Sequence, residues 1–553
     1  MPTIALIDET RRRLSSTFGH EYEIITTTTD DFDQSKKTIM ILTQERLLNR
    51  KDEIAIDLLF VDEFYKVDPE RDDGRFETLN LAIYRYLPRS KQCFMAGPHI
   101  KKINLGSEWS GNFRFLQTNY KTVTVNIVDR SNVKDRLEKF TSDLREVGNE
   151  SSLVFTATPG SAQKLMDHLV KSEFRYDTSI GRKLADWIAE NYHKDWNVSK
   201  GTERGIAIHH GRLPRSLGQL FIRLFDRKEI RVLICTSTLI EGVNTSAANV
   251  FIYDKKINRD DFDFFSFANI RGRVGRMMRH FVGNAYLYHQ PPAEIETNVE
   301  IPILSNPDQS TDFLVMNVEA GELNVDGRQR QIDLPISTGL PETILREHGA
   351  IGFDHLMHVR DRMVEILENN PEDLVWSGFP NKEQRIALAE LSLIITKGRD
   401  ERTGLFTEKQ IAWAWSQLAS SKGLPNYLRW FARTFHRDDL HKGVDTAFHF
   451  LQACEFNFPR SISAIEALVA HLMPGANVSY SAYLQGLENW FKPSWVKQLD
   501  EAGIPVPLGE RLAKHVNNVE SRADALREIR KLDIENIAEL SDMDVYILQS
   551  ALS

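Results

Sequence analysis

Short runs of apolar residues, each about the length of a strand, recur through the first half of the chain at residues 56–61, 93–96, 153–156, 206–208, 232–235 and 250–253. Stretches of helical periodicity separate them. The runs are apolar at successive positions, which is the pattern of strands covered on both faces in a parallel sheet between layers of helices. The predicted fold class is therefore α/β. A charged helical stretch at residues 132–147 divides the early runs from the later ones, so a boundary between two sheets is expected near residue 130. From residue 290 to 341 the pattern is punctuated by Pro291, Pro292, Pro302, Pro307 and Pro335, and helical periodicity dominates from there to the end. The expected organisation is a partial sheet domain over residues 1–130, a second sheet domain over 131–290, a linker over 291–340 and a mostly α-helical accessory domain over 341–553.

Composition narrows the function classes. A chain of 553 residues suits roughly three or four domains. No apolar run approaches the ~18 residues needed to span a bilayer, and the opening MPTIALIDETRRRL lacks the layout of a secretory signal, so no membrane role and a cytoplasmic location are expected. Cys93, Cys235 and Cys454 are odd in number and far apart, which argues against a disulfide framework or a paired-cysteine zinc site. The net charge of -9 gives no bulk attraction to nucleic acid, so any such contact has to come from local basic patches.

Three segments carry candidate chemistry. Asp62 and Glu63 follow an apolar run and should project from the carboxyl end of a buried strand, where ligands of open parallel sheets bind. In that position Asp62 would hold Mg²⁺ through water and Glu63 would orient an attacking water, although an acidic pair can also simply end a strand in solvent. The segment TSTLIEGVN, residues 236–244, begins where another strand ends, and its small residues allow close backbone approach to a ligand; an ordinary capped turn is the plainer reading. RGRVGR, residues 271–276, sets Arg273 and Arg276 three residues apart, neighbours on one helix face that could stabilise charge on a transferred phosphoryl group or merely be solvated. His209 and His210 are paired, but no further ligand set accompanies them, so zinc ranks low.

Taken in order, these segments resemble the motifs of superfamily 2 helicases, in particular their Ski-like branch. TSTLIEGVN is similar to motif V, and NIRGRVGR resembles motif VI with Asn269 in place of the usual glutamine. His209 to Leu213 resembles the HHxGL segment that precedes motif V. Thr43-Gln44-Glu45-Arg46-Leu47 resembles motif Ib, and Pro2-Thr3, leading into a helical stretch at 4–14, resembles motif Ia. Ala96-Gly97-Pro98 stands where motif III normally carries Ser-Ala-Thr. The strand at 153–158 and helical residues 162–170 resemble the opening of a second motor domain. The resemblance covers roughly the first 290 residues and implies two RecA-like parallel-sheet domains, the first truncated at its N-terminus, followed by a helical region containing a winged-helix and a ratchet-like module. It further implies ATP and Mg²⁺ as cofactors, with Gly242, Asn244, Asn269 and Gly272 on the nucleotide and Thr3, Thr43 and Thr236 on the nucleic acid.

One part of such a site is missing from the sequence, which contains neither GxxxxGKS nor GxxxxGKT and no Gly-Lys dipeptide. The expected source of the phosphate loop is an upstream-encoded stretch, through a late gene start, a truncation or a split protein; a degenerate relative that only binds is the other reading. Near the C-terminus, Arg429, Arg433 and Arg437 fall at helical spacing opposite Leu428, Phe431 and Phe435, a stripe that could track the phosphates of a single strand in a channel or be a solvated face. The leading expectation is an ATP-dependent helicase or translocase, on DNA in preference to RNA. The alternative is a non-hydrolysing nucleic-acid or partner-binding subunit of a split helicase or a defence or repair complex.

Overall fold

The computed structural model describes residues 4–28, 32–33, 35–50, 54–71, 74–106, 109, 111–118, 124–172, 174–176, 178–237, 239, 247–257, 260–272, 282–294, 297–399, 401 and 403–552. The strands in chain order are β1 (Glu23–Ile25), β2 (Thr38–Met40), β3 (Ile56–Asp62), β4 (Ser90–Ala96), β5 (Ile100–Asn104), β6 (Thr124–Asp129), β7 (Ser152–Phe155), β8 (Ile206–His209), β9 (Val232–Cys235), β10 (Asn249–Ile252), the short β11 (Lys256–Ile257) and β12 (Asp260–Asp261), β13 (Val282–Leu287) and β14 (Thr297–Glu300).

Six of them form one parallel sheet in the order β6-β13-β10-β7-β9-β8. Its inner strands β7, β9 and β10 are buried at every position, as their unbroken apolar runs require. Helices cover the sheet. The Pro159–Lys171 helix starts with Pro159 in its first turn behind a Thr158 cap, where a missing N–H costs nothing. The Arg215–Asp226 helix buries Leu217, Leu220, Phe221, Leu224 and Phe225. The sheet also takes in β6, which lies inside the stretch assigned to the first domain. That edge strand has no buried position from 125 to 129 and leaves Ile127 half exposed, so it lacks the continuous apolar signal of its neighbours.

The first region is built from smaller pieces. β3 pairs with β4, β1 with β2, and β5 with β14, all in parallel. Val61, Phe64, Tyr65, Leu81 and Ile100 share one apolar cluster with Val299, Ile301, Phe313 and Leu314. Residues 297–323, read from the sequence as linker, are thus part of this core. The proline punctuation misled because Pro302 and Pro307 stand in the first turns of short helices, positions that accept proline readily.

The remainder of the chain is helical. Complete capping boxes start two of its helices, Asn381 with Gln384 and Thr407 with Gln410. Its core is continuous with that of the six-stranded sheet. Trp196 and Tyr192 pack on Phe448 with ring centroids 5.1 and 5.8 Å away, while the indoles of Trp187 and Trp196 donate to Asp544 and Asp445, both at 2.8 Å. No helix among the described residues is long and apolar enough to cross a membrane.

A buried polar node ties these parts together at Glu501, the last residue of the Ser494–Glu501 helix. Its carboxylate accepts from Arg46 Nη2 at 2.7 and 2.9 Å and from Arg215 Nη1 at 2.5 Å. The preceding Asp500 accepts from the backbone N–H groups of Arg215 and Ser216 at 3.1 and 3.2 Å, so it caps the Arg215–Asp226 helix from a different segment. Burial alone would raise the pKa of Glu501, but the charges of Arg215 and Arg46 outweigh it and hold the carboxyl down at about 2, against an ordinary 4.5. A depressed carboxyl pKa contributes stability above the unfolded value, and that contribution is lost as the pH falls towards the folded one. Glu501→Gln should therefore cost about 3 kcal/mol at pH 7. In chemical denaturation of both proteins across pH, the gap between them should shrink steadily from about pH 4.5 down to about pH 2.

Candidate nucleotide and nucleic-acid site

β3 ends at Asp62, which is paired in register with Ala96 of β4, so the carboxyl ends of both strands open on the same edge. Glu63 adopts the left-handed conformation, φ 53° and ψ 41°, and turns the chain at once into the short Phe64–Val67 helix. A side chain other than glycine rarely sits there, and such positions gather at functional sites. Just after β4, Gly97 packs closely, and a Cβ there would lie 2.8 Å from Ile100 Cδ1 and 3.3 Å from the Phe64 ring. Burial raises the pKa of Asp62. A cation placed against that carboxylate would restore its charge, and an oxygen-only donor set is what Mg²⁺ prefers.

The opposite wall comes from the Phe264–Arg271 helix, started by Asp263, whose side chain accepts from Ser266 N–H at 2.8 Å. Phe265 crosses into the first region. Its ring lies 4.4 Å from that of Tyr65, edge on, and 6.3 Å from that of His99. Arg271 stacks its guanidinium over Phe267, 5.4 Å from the ring centroid. Burial lowers the pKa of His99, and the positive charge of Arg271 lowers it further. The turn after β4, the helix after β3 and the helix leading into RGRVGR therefore meet in one aromatic contact. Asp62 lies three residues before Tyr65, and Asn269, half buried, four residues after Phe265. Gly272 caps the helix and hands the chain on.

The other residues singled out from the sequence are distributed more widely. Thr43 is buried and caps the Gln44–Leu48 helix, its hydroxyl accepting from Arg46 N–H at 3.4 Å. Its side chain is thus turned into the protein instead of toward a strand of nucleic acid. Thr236 is buried at the end of β9, its N–H donating to His209 O at 3.2 Å. Burial pushes His209 down to about 4 and His210 down to about 3, so both are neutral at neutral pH. Arg429 and Arg433 are exposed on the Leu424–Phe435 helix, beside His193. Burial and then those two arginines depress the pKa of His193. Arg437 lies beyond the helix end, where its Nε donates to Arg433 O at 3.2 Å, so the helical stripe holds two arginines, not three. Thr3, Gly242, Asn244, Arg273 and Arg276 lie outside the described residues.

Sequence reasoning missed Phe265 and Tyr65, which create the contact between the walls. The signal was available in Asp263-Phe264-Phe265-Ser266-Phe267, three aromatic residues within four positions, too many for a helix with a single buried face.

Residues 178–280 match the family described as helicase conserved C-terminal domain. That match and the relatives below make the chain similar to superfamily 2 helicases. It is similar to Anti-bacteriophage protein B of Escherichia coli (strain K12), with 27% identity over 541 residues that make up 93% of this chain and 73% of that protein. It is also similar to an ATP-dependent DNA helicase of Pyrobaculum calidifontis, 27% identical over 26% of this chain and 18% of the relative. A third relative is Hachiman protein HamB of Bacillus cereus, 28% identical over 17% of this chain and 9% of that protein.

The wall-to-wall contact can be checked through His99. Arg271→Ala removes a positive charge that opposes protonation of the imidazole, so the titration midpoint of His99 should move upward when followed by NMR. An unchanged midpoint would mean that the two walls do not approach each other in solution.

Proposed function

We propose that this chain is the greater part of an ATP-driven motor that unwinds or moves along nucleic acid, DNA in preference to RNA. The observation that carries the reading is the Tyr65, His99 and Phe265 contact, which sets the Asp62-Glu63 strand end against the helix that runs into RGRVGR. In this reading Asp62 holds the hydrated Mg²⁺, Glu63 orients the attacking water, and Arg273 and Arg276 balance charge on the phosphoryl group from the second domain. Gly242, Asn244, Asn269 and Gly272 line the nucleotide. The two walls would close around ATP when it is bound and open again after its hydrolysis. A channel for a single strand runs past the exposed Arg429 and Arg433. Thr3 and Thr236 contact the strand in this reading, whereas the buried, capping position of Thr43 favours a structural part for that residue.

The phosphate loop is assigned to another stretch of polypeptide. On one face of the β3-β4 pair, Leu58, Phe60 and Phe94 are 57%, 45% and 54% exposed, with the two phenylalanine rings stacked 5.5 Å apart. Apolar surface of that kind on a short parallel ladder is costly in water and suits cover by further chain. The long similarity to a protein named for action against bacteriophage, and the shorter one to an ATP-dependent DNA helicase, support a cytoplasmic role in defence acting on DNA.

Assayed together with a polypeptide carrying the phosphate loop, Glu63→Gln should lower DNA-stimulated ATP hydrolysis by roughly 10²-fold or more while leaving single-strand affinity nearly unchanged. Absence of any hydrolysis in the unaltered protein would favour the non-hydrolysing binding subunit instead. Replacing Arg429 and Arg433 together by alanine should weaken single-strand binding and reduce the slope of log affinity against log salt by about 1.4, the value for two lost phosphate contacts. An unchanged slope would remove that helix from the channel.

A further inference from the structure

The apolar cluster of the first region and the cluster shared by the six-stranded sheet and the C-terminal helices are separate. The two bodies also meet where Phe353 packs against both clusters and Asn317 Nδ2 donates to Arg346 O at 3.2 Å, a joint near the chain crossover, and on the side away from it they are joined by Phe265 and by charge. Arg46 leaves the first region from the Gln44–Leu48 helix, keeps Nη1 on Thr26 O at 2.9 Å within that region, and reaches across with Nη2 to both carboxylate oxygens of Glu501. Arg522, from the C-terminal side, donates to Thr26 Oγ1 at 2.6 Å and lies 3.9 Å from Glu501.

The node is asymmetric. Arg215 is held twice within the second body, by Glu501 at 2.5 Å and by Glu455 at 3.1 Å, and Lys497 adds a second cation to Glu455 at 2.8 Å. If Arg215 left, buried carboxylates would lose their main counter-charge, a change that ordinarily forbids opening. If Arg46 leaves, Glu501 keeps Arg215 and Arg522, and Arg46, already 20% exposed, passes into water. The ion pair between bodies is therefore the one ion pair of the node that can open without stranding a buried carboxylate, and the Arg522 donation to the neutral Thr26 Oγ1 would release with it.

We propose that Arg46 and Glu501 form a latch between the first region and the body made of the second sheet and the helical module. Closed, it fixes the Thr43-capped helix on the C-terminal module. Open, it frees the first region to turn as the motor cycles, a consequence that rests on the motor reading; the latch itself does not.

The test uses the full chain without nucleotide or nucleic acid, so its outcome is independent of whether the protein is a motor. Spin labels are placed at Lys101→Cys on β5 and Ser420→Cys at the end of the Glu408–Ser420 helix, with Cys93 replaced by serine, and the distance between them is measured by pulsed electron resonance. The parent should give one narrow distribution. Arg46→Gln should add a second population or broaden the first, and should speed amide exchange over residues 23–27 and 44–50 by about tenfold or more. Exchange in the Arg215–Asp226 helix should stay as in the parent. Arg46→Lys, which keeps the charge without the fork, should fall between the two. A narrow, unshifted distribution in Arg46→Gln would overturn the latch. So would a matching rise of exchange in the Arg215–Asp226 helix, because the contact would then belong to one cooperative unit.

Discussion

A buried carboxylate shared among arginines from three distant segments holds this molecule in its arrangement. Removing Glu501 from water opposes its ionisation, and the arrangement persists only because Arg215 and Arg46 return more than that cost. Geometry explains the surplus: forked donors meet both carboxylate oxygens, and burial weakens the screening between them. Lys91 and Asp57 show the contrast. They form an ion pair at 2.7 Å on the surface, with both side chains more than three-quarters exposed, and such a pair contributes little. Distance alone does not rank the two; desolvation and donor geometry do.

The aromatic seam complements the node. Trp187, Tyr192 and Trp196 press the helices of the six-stranded sheet onto the C-terminal module, and their indole N–H groups find Asp544 and Asp445. Large rings, two of them with satisfied indole N–H groups, make a contact that does not open easily. The first region is attached more sparingly, through Phe265, through the joint at Phe353 and Asn317, and through charge. Stiffness within one body and economy between bodies is the mechanical pattern expected where the halves of a site must approach and separate.

What the sequence disclosed follows from the physics of each element. Continuous burial made β7, β9 and β10 legible, because a strand covered on both faces has to be apolar at successive positions. β3 was legible from the same apolar run, but the expectation of a buried strand fails there, since Leu58 and Phe60 are exposed on one face. β6 escaped because it is an edge strand with no buried position from 125 to 129. The segment containing Pro302 and Pro307 was read as a linker since proline there was weighed as a breaker and not as a helix starter. Of the candidate site, the strand end at Asp62 and the helix before RGRVGR were legible as local pattern. The node was not: Arg46 and Glu501 are 455 positions apart, and nothing in either neighbourhood marks the pairing.

The net charge of -9 illustrates why a global quantity was a poor guide. Some of the chain's acids lie inside the protein, where Glu455, Asp500 and Glu501 cap a helix and neutralise Arg46, Arg215 and Lys497, three acids against three bases that leave the net charge unchanged. Those acids repel nothing in solution, since their fields are cancelled within a few ångströms. Arg429 and Arg433 stand exposed on another face, close enough to disfavour protonation of His193. A polyanion approaching that face meets the local field of the two arginines, because screening confines each charge to about a Debye length of ~10 Å at ordinary ionic strength. An acidic protein can therefore present a basic surface, because the net charge does not say where its charges lie and only those within about a Debye length act on an approaching ligand.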